Sequence, residues 1–194
     1  MIATMLARCT ASAALALALT VHAALPANDA DIDVHVLQNG NHITVDVNVP
    51  VQATAIETWK VVTDYDNMAK FVSNLQASRI VERVDNRLIV MQKGKASRGP
   101  LSFSFENVRE IFLTPPTEIR SRLISGDLES SEFTTRVIDH GNSAQIVNHG
   151  EFIPKVWVPP IVGPAVIEAE TRKQFRELRD EIMRRKAETA ASRR

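Results

Sequence analysis

The sequence predicts an α+β domain in which a curved antiparallel sheet wraps around one long C-terminal helix, with two short helices after the first strand. Three observations predict it. Stretches of period-two alternation follow one another through joins too short for parallel crossovers. The apolar period switches to helical spacing between Gln52 and Phe71. The chain then ends on a single long amphipathic stretch, the one element able to cover a sheet face.

Residues 1–23 stand apart from that domain. Arg8 supplies a positive charge, Ala11 to Val21 is small and apolar apart from Ser12 and Thr20, and Val21-His22-Ala23 puts small residues at −3 and −1 of a cleavage site. These are the parts of a secretory signal, and the run falls short of the ~20 apolar residues of a membrane span. Cleavage near Ala23 and export, to a periplasm, are expected. The one cysteine, Cys9, leaves with the segment, so the mature chain has no disulfide and no thiolate. Arg8 is the only charge lost from 23 Lys and Arg set against 23 Asp and Glu. That near-neutral balance offers no basic field for nucleic acid, which is not an expected partner. The remaining chain suits one monomeric domain at 34–187, between a flexible mature N-terminus at 24–33 and a disordered basic tail at 188–194.

Within the domain, Ile43, Val45, Val47 and Val49 alternate with His42, Thr44, Asp46 and Asn48, a strand with one buried face. Asn39-Gly40 before it is a hairpin-turn dipeptide, so 34–49 reads as a bent pair or as one long bulged strand. Ile56, Trp59, Val61 and Val62 recur at helical spacing, and Met68, Phe71 and Val72 suggest a second short helix capped by Asp64 or Asp66. Strands are expected at 76–84, 87–95, 102–113, 118–125, 128–139 and 143–154. Asp85-Asn86, Arg98-Gly99-Pro100, Pro115-Pro116, Ser125-Gly126 and His140-Gly141-Asn142 punctuate them. Gly163-Pro164 opens the last helix, with proline where its missing N–H costs nothing. Ile167, Thr171, Phe175, Leu178 and Ile182 form its apolar stripe, and the helix is expected to fray from Ala187.

Two segments carry a resemblance to a known family. Val62-Thr63-Asp64-Tyr65-Asp66-Asn67-Met68-Ala69-Lys70-Phe71-Val72 resembles the segment that joins the two small helices of START-like proteins. Trp157-Val158-Pro159-Pro160-Ile161-Val162-Gly163-Pro164 resembles their turn into the long helix. With the element order, the chain resembles the START-like (SRPBCC) or polyketide cyclase–dehydratase superfamily over roughly 40–185. In motif it is most similar to coenzyme Q-binding START-domain proteins. The resemblance implies the helix-grip fold and an apolar ligand held between sheet and helix. A ribosomal partner, known for some relatives inside cells, does not suit an exported chain.

Catalytic constellations are sparse. His35, His42 and His140 sit at turns, no helical His pair has metal-ligand spacing, and no metal or cofactor is expected. His149 is a base candidate whose direction depends on register. If Val147 and Ile153 face the core, so does His149; if Ile146 and Phe152 do, Asn148 faces inward and His149 faces water. No G-x-S-x-G elbow, paired carboxylates or Walker loop appears. Arg120 and Arg122 share a strand face, either wet or gripping an acidic head group.

The aromatic and aliphatic set is the stronger signal. Tyr65, Phe71, Phe103, Phe105, Ile111, Phe133, Val137, Phe152, Trp157, Ile167 and Phe175 are the expected cavity residues. With the resemblance, they predict a carrier for a lipid, isoprenoid or quinone-like molecule rather than an enzyme. Helix 52–72 and the Trp157–Pro164 turn would gate the cavity. A cyclase or dehydratase would need His149, Tyr65 or Arg122 in the cavity, and an envelope interaction module would have a filled core. Arg184-Arg185-Lys186 and Arg193-Arg194 suggest either a solvated helix end or transient contact with a membrane surface.

Overall fold

The computed structural model describes residues 31–98, 101–160 and 163–193. The expectations for residues 1–23 and 24–30, for the Gly99-Pro100 and Ile161-Val162 joins and for the side chain of Phe103 lie outside the described residues.

The first period-two stretch is a hairpin, β1 (Asp33–Asn39) and β2 (His42–Val51), rather than one bulged strand. Gly40 turns the chain with φ of 61°, a conformation glycine adopts without strain. Along β2, Ile43, Val45, Val47, Val49 and Val51 are buried and their neighbours are not. The domain begins earlier than residue 34: Ile32 is buried, and Asp31 Oδ1 accepts a hydrogen bond from Arg179 Nη1 at 2.7 Å.

Thr54 and Glu57 start α1 (Ala55–Val62) with a reciprocal cap. Thr54 N–H donates to Glu57 Oε2 at 2.9 Å and Glu57 N–H donates to Thr54 Oγ1 at 3.3 Å, satisfying amides the helix leaves open. The expected second helix is only a 3-10 turn at Met68–Lys70. Its proposed caps are engaged elsewhere: Asp64 Oδ1 accepts from Asn67 Nδ2 at 2.8 Å, and Asp66 Oδ1 accepts from the Ile80 amide at 2.7 Å. An uncapped three-residue turn has too few bonds to propagate.

Six antiparallel strands follow: β3 (Leu75–Val84), β4 (Arg87–Arg98), β5 (Leu101–Thr114), β6 (Glu118–Gly126), β7 (Leu128–Asp139) and β8 (Ala144–Pro154). With the hairpin they form one sheet in the order β1-β2-β8-β7-β6-β5-β4-β3. The N-terminal hairpin therefore docks on the last strand, pairing Val47 with Asn148. Register shifts at Leu75/Ala77, Ile80/Glu82, Val108/Arg109 and Leu128/Ser130 bend the sheet. The helix α2 (Gly163–Ala191) lies against β1, β2 and α1 and buries Leu178 and Ile182. It runs four residues beyond the expected domain end at 187, so 188–191 are helical rather than a disordered tail. The architecture is the expected α+β helix-grip arrangement, with one short helix in place of two. Among the described residues no helix is long and apolar enough to cross a membrane.

Candidate functional site

Between the sheet and α2 lies a half-open cavity of about 330 Å³. Strand alternation decides which side chains enter it. From β5 come Phe105, Arg109 and Ile111; from β6, Ile119 and Ser121; from β7, Phe133 and Thr135; from β8, Asn148 and Phe152. Val62, Tyr65 and Met68 close one side, and Ile167, Thr171, Gln174 and Phe175 of α2 close another. The β5 face keeps its parity because the extra residue at the Val108/Arg109 shift, Ile124, lies on β6.

Two glycines make room for the rings. Phe133 pairs across the strands with Gly150, where a Cβ would lie 2.0 Å from the ring atoms Cδ1 and Cε1. Phe105 pairs with Gly94, where a Cβ would lie 2.4 Å from the ring Cζ and 2.3 Å from the carbonyl oxygen of Asn74. Each ring thus lies across a neighbouring strand that carries no side chain at that point. Phe133 in turn stacks on Phe152, with centroids 6.3 Å apart and planes at 20°.

Arg109 is the one charged residue among the described residues lining the cavity. Its Nη1 donates to Ser121 Oγ at 3.1 Å, its Nη2 donates to Ser131 Oγ, and its Cζ stands 4.9 Å from the centroid of Phe133. No carboxylate pairs with it among the described residues. Burial pulls its pKa down to about 10, an effect that Tyr65 partly opposes. The guanidinium is half-buried and stays charged at neutral pH, and drawing an ion partly out of water without a counter-charge is unfavourable. Burial pushes the Tyr65 phenol well above its ordinary value of 10.0, so Tyr65 stays protonated. Elsewhere on the wall, Asn148 Nδ2 donates to Thr135 Oγ1 at 2.7 Å and Gln92 Nε2 donates to Ser78 Oγ at 3.2 Å.

Of the expected cavity residues, Tyr65, Phe105, Ile111, Phe133, Phe152, Ile167 and Phe175 line this space. Trp157 does not, with 73% of its surface exposed. The segment after β8 is fixed instead by Gln38 Nε2 donating to Val158 O at 2.9 Å and Asn41 Nδ2 donating to Pro154 O at 2.6 Å, and Val158 is the side chain that packs inward. Phe71 packs on the core from outside, beneath the Arg185 guanidinium at 5.5 Å. Val137 is buried in the core but does not reach the cavity.

The two polar candidates also lie outside. Strand β8 takes the register with Ile146 buried and Asn148 inward, so His149 is on the outer face with 55% of its side chain exposed. There His149 Nδ1 lies 2.7 Å from Asp46 Oδ1, a bond that raises the imidazole pKa above 6.5. Arg122 is on the outer face of β6, bound to Glu110, which Arg87 also grips. These two guanidiniums, Arg87 first, lower the Glu110 pKa. Arg120 is exposed too, 3.5 Å from Glu118. In the basic C-terminal cluster, Arg184 and Arg185 bind Glu181 and Lys186 Nζ donates to Gln52 O. Sequence reasoning missed Arg109 and Ser121. Arg109 shares strand parity with Phe105 and Ile111, which was the available signal.

The family model described as "Polyketide cyclase / dehydrase and lipid transport" matches residues 51–179. No curated protein matches the sequence. Among solved structures, the STAR-related lipid transfer protein from Xanthomonas axonopodis superposes with a TM-score of 0.67 at 11% identity, covering 82% of this chain and 98% of that one. The Zhui aromatase/cyclase from a Streptomyces species gives a TM-score of 0.63 at 16% identity, with 74% and 95% covered. A START superfamily protein from Mycobacterium smegmatis gives 0.61 at 14% identity, with 73% and 97% covered. At such identities these likenesses speak for the fold alone, whereas the family model spans most of the described chain. The chain belongs to the polyketide cyclase/dehydrase and lipid transport family.

Proposed function

We propose that the chain is an exported carrier that binds an apolar small molecule between the sheet and α2. The observation that carries this reading is the cavity of about 330 Å³, walled mostly by Ile, Phe, Val, Leu and Met side chains. At ~30 Å³ for each water-sized group it has room for on the order of ten non-hydrogen atoms. Burial of ligand surface at about 25 cal/mol per Å² supplies affinity, and the neutral polar groups on the wall orient the guest. Export rests on the composition of residues 1–23.

Native mass spectrometry of protein purified from its own host tests the reading. The expected result is a chain that begins at Ala24 and carries a small-molecule mass, recovered by solvent extraction. A chain that starts at Met1 contradicts export; an empty cavity that takes up no apolar probe contradicts the carrier.

One observation favours a second reading, a cyclase or dehydratase: Tyr65 lines the cavity. Its phenol would be the proton donor, but the raised pKa makes it a weak acid. The described cavity lining holds no His, Asp or Glu to serve as base. Turnover of an aromatic polyketone probe that is lost in Tyr65→Phe would establish the enzyme over the carrier.

A further inference from the structure

We propose that the cavity selects apolar molecules bearing one anionic head group of the carboxylate class, and that Arg109 holds that group. This rests on the ligand-binding reading above and narrows it. Among the described residues, the side-chain partners of Arg109 are two serine hydroxyls and the face of Phe133, all of them neutral. They engage two of the five N–H donors of a guanidinium. A half-buried charge that lines an apolar cavity without a counter-charge marks a site arranged for something other than stability. A carboxylate arriving with the ligand supplies the missing charge, and the planar fork receives its two oxygens side by side.

The charge count favours a carboxylate over a phosphate. A phosphate monoester carries about −1.5 to −2 at neutral pH. Among the described lining residues there is no second cation to meet the surplus. Tyr65 supplies a further donor: its hydroxyl makes no hydrogen bond among the described residues, and burial keeps it protonated. The β6 bulge at Ile124 adds curvature at the place where Arg109 leaves β5. Elsewhere on the lining, Ile111, Phe152, Ile167 and Phe175 offer the apolar wall for the ligand's body.

The test compares octanoate with octan-1-ol, which share an apolar chain and differ in charge, by isothermal titration calorimetry at pH 7. The acid is expected to bind about ten-fold tighter or more. Arg109→Met should abolish that preference, and Arg109→Lys should restore part of it. Equal affinity of the wild-type protein for both probes overturns the head-group inference and leaves the cavity reading standing. Binding of neither probe overturns the cavity reading itself. If Arg109→Met does not fold, the wild-type protein decides: the acid preference must vanish as pH falls below the ~4.5 of a free carboxyl group. A preference that survives protonation of the probe contradicts the assignment.

Discussion

The guanidinium of Arg109 stands 4.9 Å from the ring centroid of Phe133, and both face the space between sheet and helix. Phe133 can lie there only because Gly150 opposes it on β8. Gly150→Ala would put a methyl group 2.0 Å from the ring. The ring must then leave its stack with Phe152 and its place under Arg109. Urea unfolding should show a loss of ~1–3 kcal/mol, as for other overpacked sites, and octanoate binding should weaken in parallel. Wild-type stability in this variant would contradict the packing described.

Outer-face residues should not affect ligand binding. His149 and Arg122 point away from the cavity, so His149→Ala and Arg122→Ala should bind octanoate within about two-fold of wild type. A loss of ten-fold or more in either would mean that the ligand sits on the outer face.

Acid stability should depend on Glu181. Hydrogen bonds from Arg184, then Arg185, lower its pKa from 4.5 to about 2. Because the folded value is depressed, the stabilisation is present above pH 4.5 and is lost as pH falls toward 2. With allowance for the exposure of Arg184, it amounts to on the order of 1–2 kcal/mol. Glu181→Gln should therefore lower the unfolding free energy at pH 7 and differ little from wild type at pH 2, as measured by chemical denaturation at both values.

His149 should give a small dependence of the opposite sign. The bond to Asp46 raises its folded pKa above 6.5, so its stabilisation is full below pH 6.5 and fades as pH climbs through the higher folded value. The pair is exposed, which limits the effect to about 0.5 kcal/mol. His149→Gln should be less stable than wild type at pH 5.5 and equal to it at pH 9. A difference that grows with pH would show the sign to be wrong.

The strands were legible because period-two alternation leaves little freedom: β2 buries all five of its alternate Ile and Val positions. The second short helix was not, since Met68, Phe71 and Val72 fit helical spacing although the turn between them has no cap. The direction of His149 hung on a register that depends on β2, whose Asp46 pairs with it across more than a hundred residues of sequence. Arg109 is not legible in the sequence because a charge within an apolar alternation reads as a wet position. Trp157 was misplaced because a motif marks a turn without saying which side chain turns inward. The pairings of Gly94 with Phe105 and Gly150 with Phe133 follow from strand register alone, and single-strand periodicity carries none of it.

A crystal structure of the protein grown with octanoate tests the central claim most directly. Ligand density is expected between β5–β8 and α2, with the carboxylate about 3 Å from the Arg109 guanidinium and the chain against Phe152 and Phe175. Density confined to the outer face of the sheet, or a cavity closed by its own side chains, would contradict it.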